Sequence, residues 1–238
     1  MTHLVGDGDV DASFSDVTAS VDLFNEAGLC IFPNALSHAH VDACRTCLEQ
    51  RMGKLDAQLL KRGVDLNSQW RFNEACRRRY GRYDVRNWAL QDRPFQDAAL
   101  WTEAAWLPFV RAALGDDCRE LWRGVVDNRP GSETQGWHRD GDFLFSSGFE
   151  LPVHCITLFI PLVDCLDSCL GPPQFYPGSH RASRDHLYTG VEEQTCHLPY
   201  VIPSLARGDL LAFDYRLVHR GSANMSAATS RPMLCTDR

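Results

Sequence analysis

A histidine and an aspartate separated by one residue, His138 and Asp140, are the first candidates for chemistry in this sequence. Both lie in the segment GWHRDGD at residues 136–142. In an extended strand the side chains at positions i and i+2 project from the same face, so these two could bind one metal ion. A single His-x-Asp pattern also arises by chance, so the assignment depends on finding further ligands.

His219 is the candidate third ligand, because it ends the alternating segment GDLLAFDYRLVH at residues 208–219 and could converge on the same ion. Two imidazoles and one carboxylate leave three positions open on an octahedral metal, which suits non-haem iron(II) that binds a chelating co-substrate and O2. His154 is an alternative ligand, but its distance along the chain from His138 offers no short chelate. The pattern therefore favours His138, Asp140 and His219 as catalytic metal ligands.

Arg231 follows the candidate ligands and immediately precedes a proline. Its planar guanidinium can pair with a carboxylate through two parallel hydrogen bonds, which makes it suitable for the distal carboxylate of 2-oxoglutarate. The alternative is an ordinary surface arginine. The order of a His-x-Asp pair, a strand, a proline-glycine turn, a distal histidine and then this arginine favours the binding role.

The elements that must position these residues fall into two regions. Before residue 120 the pattern predicts a helix over residues 14–27 that Gly28 ends, a short strand over residues 29–33, and a further helix over residues 97–114. Ser37 is predicted to cap a long helix, since apolar residues follow it at helical spacing. These residues are Val41, Cys44, Leu48, Met52, Leu55 and Leu59.

From residue 120 onward, short β-rich segments separated by Gly, Pro, Asn and Asp predict strands. The segments are LWRGVVD, HCITLFIPLVD, QFYPGSH and GDLLAFDYRLVH. Helices followed by many strands indicate an α+β fold, with residues 120–238 forming an antiparallel sandwich or barrel that holds the metal ligands. Parallel βαβ units are not indicated.

Composition is typical of one soluble globular domain over residues 1–238, because 44% of the residues are hydrophobic and 23% are charged. The formal net charge of −7 disfavours binding to nucleic acid or anionic lipid. No segment approaches the roughly 20 apolar residues of a membrane helix. Residues 1–12 are predicted to form a flexible acidic tail rather than a secretory signal, so a cytoplasmic location with ten reduced cysteines is expected.

The chain resembles the phytanoyl-CoA dioxygenase (PhyH-like) family of Fe(II)/2-oxoglutarate-dependent oxygenases over most of its length. Several segments occur in the order found in that family: FPNALS, RYDVRNW, WHRDGD, IPLVD, GPPQFYPGSHR, GDLLAFDYRLVHRGSANMS and RPML. Each segment is modest alone, and together they are specific. The resemblance implies a double-stranded β-helix (jelly-roll, cupin-like) core with the N-terminal helices packed on its outside.

The resemblance also implies cofactors and a reaction. Iron(II) is expected at His138, Asp140 and His219, with 2-oxoglutarate held by Arg231, O2 as the oxidant and ascorbate as a stimulant. The implied dioxygenase couples oxidative decarboxylation of 2-oxoglutarate to hydroxylation of a small organic substrate. Related halogenases replace the carboxylate ligand with a small residue, so the presence of Asp140 disfavours halogenation.

Three polar residues near the predicted ligands are further candidates for co-substrate contacts. Thr157 faces inward on the predicted strand, and Gln135 and Ser222 lie close in sequence to the metal ligands. Their short polar groups could bond a carboxylate. As alternatives, Thr157 could pack within a strand and the other two could form turns.

A substrate pocket for this chemistry is expected to be mostly apolar with few polar anchors. Arg82 and Arg86 could receive an acidic group of substrate or co-substrate, although solvated surface charge is the common role of such residues. The aromatic candidates for the pocket walls, each of which could equally be core, are Trp137, Phe143, Phe145, Phe175 and Tyr215.

The sequence is also consistent with two other functional classes of protein. A cupin-type metal enzyme that does not use 2-oxoglutarate would have no need for Arg231. A non-catalytic binding or sensing relative would have no need to keep all three metal ligands. The sequence gives no indication of the oligomeric state.

Overall fold

The computed structural model describes residues 10–86, 90–141, 144, 151–181 and 199–238. Its helices are α1 (Val17–Ala27), α2 (His38–Lys61), α3 (Ala98–Trp101) and α4 (Leu107–Leu114). Its strands are β1 (Leu29–Phe32), β2 (Trp70–Arg71), β3 (Ala75–Arg77), β4 (Arg82–Arg86), β5 (Trp122–Asn128), β6 (Ile156–Pro161), β7 (Pro173–Phe175), β8 (Leu210–Asp214), β9 (His219–Gly221) and β10 (Arg231–Asp237).

Helix α1 begins later than predicted because Asp16 caps it. The Asp16 carboxylate accepts a hydrogen bond from the Ala19 amide at 3.0 Å, so Phe14 lies before the helix. The predicted end is confirmed. Gly28 closes the helix with φ of 79°, a left-handed conformation that glycine adopts without a Cβ clash. Strand β1 follows at once, and all four of its residues are buried.

The cap predicted at Ser37 is confirmed. The Ser37 hydroxyl accepts a hydrogen bond from the His40 amide at 3.3 Å, and α2 begins at the next residue. Of the six apolar residues predicted to face the core, Leu55 is half-buried and the others are buried. The 3.6-residue period therefore identified the buried face of this helix.

A single helix over residues 97–114 was predicted, and this prediction is wrong. The segment forms two short helices, α3 and α4, with a break between them. Pro108 lies in the first turn of α4. Proline lacks a backbone N–H and its ring clashes with the carbonyl four residues earlier, so a helix can start at a proline but is broken if it continues through one.

Within the described residues, the strands form two antiparallel sheets. The larger has the order β1-β8-β6-β10-β5-β4-β3-β2, with every neighbouring pair antiparallel, and it is not closed into a barrel. Strands β7 and β9 form the smaller sheet. The predicted α+β class with an antiparallel core is thereby confirmed.

The two faces of the large sheet have different roles. One face packs against α1, α2 and α4 in the main apolar core, where the Phe32 ring contacts the Phe109 ring at a centroid distance of 4.9 Å. The other face carries a smaller apolar cluster that includes Phe213 and Phe175. The helices therefore lie outside the sheets, as predicted, and the space between the sheets is left for a site.

The segment at residues 208–219 was predicted as one strand, but it forms two strands in different sheets. Strand β8 ends at Asp214, whose buried carboxylate accepts hydrogen bonds from the Arg216 amide at 2.8 Å and from its guanidinium at 2.9 and 2.7 Å. This local pairing turns the chain from the large sheet into β9. It thereby carries His219 to the wall opposite the large sheet.

No helix in the described part of the chain combines the length and the apolar character that crossing a bilayer requires.

Candidate metal centre

His138 and His219 lie directly opposite each other on neighbouring antiparallel segments. The backbone amide of each donates to the carbonyl of the other, both at 2.9 Å. Their imidazole rings face the same side, with centroids 4.5 Å apart. Two residues far apart in sequence are thus brought together by one pair of backbone hydrogen bonds.

Asp140 completes the group that the sequence predicts. Its carboxylate oxygens lie 3.9 Å from Nε2 of His138 and 3.6 Å from Nε2 of His219. One ligand atom from each of the three residues lies within 4.8 Å of the others. This separation suits three donors around one ion, although a cluster of this kind also forms without a metal.

The imidazole rings are oriented for binding through Nε2. Nδ1 of His138 lies 2.9 Å from the Gly136 carbonyl oxygen, and Nδ1 of His219 lies 2.9 Å from the Leu217 carbonyl oxygen. A carbonyl only accepts, so each Nδ1 carries the proton and each Nε2 lone pair is free. Burial, and then the neighbouring His219, lower the pKa of His138, which favours the neutral ring that a metal requires.

The three residues differ in their exposure to solvent. His219 is buried, and its ring packs against Phe213 at 4.9 Å and Phe175 at 5.7 Å between centroids. Asp140 is exposed, and its backbone amide donates to the Tyr215 carbonyl at 3.1 Å. One side of the site is therefore closed by aromatic rings, and the other is open to ligands.

Gly141 allows the Tyr215 ring to pack beside Asp140. A Cβ atom on Gly141 would overlap the Tyr215 ring. The small residue after Asp140 is therefore required by the close approach of this ring, which also lines the site cavity.

The candidate ligands open into a cavity of about 400 Å³ that also contains Arg231. Arg231 begins β10 and lies opposite Asn128 of β5. It is only 3% exposed, and its Nε has no hydrogen-bond partner among the described residues. Burial lowers the pKa of its guanidinium, opposed by Cys165 and Asp127. A buried cation with an unsatisfied donor that reaches a cavity indicates a site for an anion.

Arg82 supplies a second buried guanidinium. It pairs with Asn128 from the other side, and its Nη2 donates to the Ser222 carbonyl at 2.8 Å and more weakly to the Glu133 carbonyl at 3.4 Å. Burial and the nearby charge of Arg231 lower the pKa of Arg82 to about 9. This end of the cavity is therefore strongly basic.

A profile of the phytanoyl-CoA dioxygenase (PhyH) family matches residues 24–233. The chain belongs to this family. Dioxygenase hkm4 of Aspergillus hancockii is 30% identical over 102 residues, 42% of this chain and 31% of hkm4. The Fe(II)/2-oxoglutarate-dependent dioxygenase nvfF of Aspergillus novofumigatus (strain IBT 16806) is 25% identical over 213 residues, 87% of this chain and 66% of nvfF. The matches thus span about a third and about two thirds of these curated relatives.

The fold of this PhyH-family chain also has a counterpart among solved structures. AviO1 from Streptomyces viridochromogenes Tue57 superposes with a TM-score of 0.65 at 22% identity, covering 93% of this chain and 94% of AviO1. At this identity the likeness concerns the fold alone. It confirms the predicted cupin-like core with outer helices, with the qualification that the large sheet is open.

The weaker candidates for co-substrate contacts occupy different positions in this PhyH-family site. Thr157 and Gln135 line the cavity, where the Thr157 hydroxyl donates to Asp237 at 3.0 Å and Gln135 Oε1 accepts from the Gly221 amide at 2.9 Å. The Ser222 hydroxyl donates to the Pro172 carbonyl at 2.7 Å. All three side chains already hold structural hydrogen bonds.

Asp237 is a cavity residue that the sequence reasoning missed. It lies on β10 opposite Thr157, and burial raises the pKa of its carboxyl to about 6. A signal was available, because Arg231 and Asp237 are six residues apart in one strand and therefore face the same side. Asp84 of β4 also lines the cavity and forms an ion pair with Arg78.

The aromatic residues proposed for the pocket walls lie in different parts of the structure. Tyr215 lines the cavity, whereas Phe175 is fully buried beneath His219. Trp137 is not among the cavity residues and lies on the opposite face from His138. The predictions for residues 143 and 145 fall outside the described part of the chain.

Proposed function

We propose that this protein is a non-haem iron dioxygenase that couples oxidative decarboxylation of 2-oxoglutarate to hydroxylation of a small organic substrate. The observation that carries the proposal is the convergence of His138, Asp140 and His219 in one cavity with the buried Arg231. Membership of the PhyH family and the name of the relative nvfF support the same reaction.

The three ligand residues fit iron(II). Two imidazole nitrogens and one carboxylate oxygen form the donor set that non-haem iron enzymes use, and it leaves coordination positions open. The backbone carbonyls of Gly136 and Leu217 fix the ring tautomers that present Nε2 to the ion. His138, Asp140 and His219 would therefore hold the metal from one side only.

The basic end of the cavity fits a dicarboxylate such as 2-oxoglutarate. Arg231 would bind the distal carboxylate, because its buried guanidinium lines the cavity and its Nε has no hydrogen-bond partner among the described residues. Arg82 adds a second positive charge nearby. Contacts of 2-oxoglutarate with Thr157, Gln135 and Ser222 remain predictions, and each would form alongside the hydrogen bonds that these residues already make.

When bound, iron, 2-oxoglutarate and O2 supply the oxidising power for hydroxylation of a C–H bond, with succinate and CO2 as co-products. The protein would position these groups and exclude water from part of the site. The rings of Phe213 and Phe175 keep water from one side of His219. The Asp140 carboxylate would serve as a metal ligand, which favours hydroxylation over halogenation.

The cavity volume of about 400 Å³ supports a small-molecule substrate. The net charge of −7 supports the further expectation that nucleic acid is not a partner. A single oxygenase domain in the cytoplasm, with residues 120–238 as the metal-binding part, completes the proposal.

Succinate formation tests the reaction. The purified chain is incubated with iron(II), ascorbate and 2-oxoglutarate, with and without a panel of small organic compounds, and succinate is measured. We expect turnover that is lost in Asp140→Ala and on chelation of iron. Iron binding without succinate under any condition would instead favour a cupin-type enzyme that does not use 2-oxoglutarate. Failure to bind iron would favour a non-catalytic relative.

A further inference from the structure

The strand pair that carries the two histidines has a second row of paired side chains on its outer face. His138 and His219 lie directly opposite each other, so Trp137 and Arg220 are the next opposed pair. Neighbouring residues in a strand point to opposite faces. Trp137 and Arg220 therefore lie on the face turned away from the cavity, and neither contributes to its lining.

Arg220 joins three adjacent segments on this outer face. Its guanidinium carbon lies 4.2 Å from the centre of the Trp137 ring, a cation–π contact. Its Nε donates to Oε1 of Gln174 at 2.7 Å, and Gln174 is its partner in β7. The buried Tyr176 ring packs on Trp137 with centroids 4.3 Å apart. The outer row Trp137, Arg220 and Gln174 thus lies behind the inner row His138, His219 and Phe175.

The segment that carries His138 is held by individual hydrogen bonds and not by a regular strand pairing. Residues 132–137 belong to no helix or strand, and His138 forms only an isolated bridge. Besides that bridge, the Gln135 amide donates to the Gly221 carbonyl at 3.0 Å, and the Gly221 amide donates to Oε1 of Gln135 at 2.9 Å. On the other side of His138, the Asp140 amide donates to the Tyr215 carbonyl at 3.1 Å. Trp137 and Arg220 add to these hydrogen bonds a side-chain contact that lies directly behind His138 and His219.

We propose that Trp137 and Arg220, with Gln174, are positioning residues that set the separation of the His138 and His219 imidazoles and thereby the metal affinity. The inference rests on the proposed metal site and extends it to residues that touch neither metal nor substrate. Without the outer pair, the segment that carries His138 gains freedom relative to β9. The two Nε2 atoms then have to be ordered when the ion binds, which weakens binding.

Equilibrium titration of the metal-free protein with Co(II), followed by visible absorption, tests the proposal without requiring a substrate. Arg220→Met removes the charge and the donor while keeping bulk, and we expect Co(II) binding about 10-fold weaker than in the wild type. Trp137→Leu should have a similar effect. The double variant should be little weaker than either single variant, because both remove the same contact.

A conservative variant and a control variant outside the cavity distinguish a positioning role from a general effect on protein stability. Arg220→Lys keeps a cation near Trp137 and should recover binding to within about threefold of the wild type. Arg123→Met removes a similar contact of a residue that does not line the cavity, since the Arg123 guanidinium carbon lies 4.1 Å from the Trp101 ring centre. That control should leave the Co(II) affinity unchanged. Thermal unfolding of each metal-free variant identifies losses of fold.

The outcomes distinguish the inference from the proposed function. If the wild type binds Co(II) and Arg220→Met binds it equally well, the positioning role is overturned while the metal site stands. If the wild type does not bind Co(II), both are overturned. Trp137→Phe is the milder second variant, with an expected loss of about threefold. Should Arg220→Met fail to fold, unaltered affinity in a folded Trp137→Phe protein overturns the inference.

Discussion

Arg82 of β4 and Arg231 of β10 both lie opposite Asn128 of β5, one on each side of that strand. Each is 3% exposed, and neither forms an ion pair with the described residues. Two buried cations side by side oppose folding unless something neutralises them. The arrangement therefore favours binding of an organic acid.

Arg231→Met should weaken the use of 2-oxoglutarate. Loss of a charge-assisted contact costs about 1.5–3 kcal/mol, so the 2-oxoglutarate concentration for half-maximal succinate formation should rise roughly tenfold or more. The Arg123→Met variant, changed outside the cavity, should keep the wild-type value. An unaltered half-saturation concentration in Arg231→Met would remove Arg231 from the co-substrate site.

His138→Ala and Asp140→Ala should each abolish iron-dependent turnover while circular dichroism shows an unchanged fold. Each variant deletes one of the three proposed ligands, and both residues are at least partly exposed, so little packing is lost. His154→Ala is the matched control, since this half-buried histidine is outside the ligand group. Retained iron and turnover in Asp140→Ala would contradict the assignment.

The pH dependence of stability should change in Asp237→Asn. Burial raises the pKa of Asp237 from 3.8 to about 6, with Asp140 adding to the rise and the Thr157 hydroxyl opposing it. The native state therefore binds this proton more tightly than the unfolded chain. The stabilisation is fully present below pH about 4 and is lost as pH rises through about 6.

Asp237→Asn cannot ionise, so it should avoid this loss. We expect its free energy of unfolding, relative to that of the wild type, to be about 1–3 kcal/mol larger at pH 7.5 than at pH 4, so the variant gains relative stability as pH rises. Urea unfolding of the metal-free proteins at the two pH values measures the difference. Asp116→Asn, at an exposed position, provides the control. Parallel pH profiles for wild type and Asp237→Asn would contradict the prediction.

Gly141→Ala should disturb the metal site through Tyr215. The added methyl group overlaps the Tyr215 ring, so either the ring or the backbone beside Asp140 must move. Overpacking of this kind costs about 1–3 kcal/mol, and Co(II) titration should show weaker binding. The double variant Gly141→Ala with Tyr215→Ala should recover Co(II) affinity, because it removes the overlapping ring. Failure of that recovery would show that the glycine is needed for another reason.

The candidate metal ligands were recognisable in the sequence because each lies in a local pattern. His138 and Asp140 are two residues apart in extended backbone, and His219 follows a recognisable β-rich segment. The cap at Ser37 and the stop at Gly28 were predictable for the same reason, since each depends on one side chain and its nearest backbone. The cap and the stop need no knowledge of how distant segments pair, whereas the approach of His219 to His138 depends on the bridge between their two segments.

The remaining features depend on long-range pairing, which local patterns do not specify. Asp237 belongs to the cavity because β10 lies between β5 and β6 in one particular register. Trp137 lies on the outer face because the bridge between His138 and His219 fixes the orientation of its neighbour. Apolar alternation did not reveal the turn after Asp214, because the residues on both sides of it are buried.

Strand β10 carries Arg231 at its first residue and Asp237 at its last, both facing the cavity. Six steps of about 3.3 Å separate them by roughly 20 Å. The cavity therefore has a positive charge at the Arg231 end of this strand and a negative charge at the Asp237 end. An elongated molecule with one acidic end would enter with that end toward Arg231. Insertion of one residue between them would turn one of the two charges out of the cavity and erase that direction.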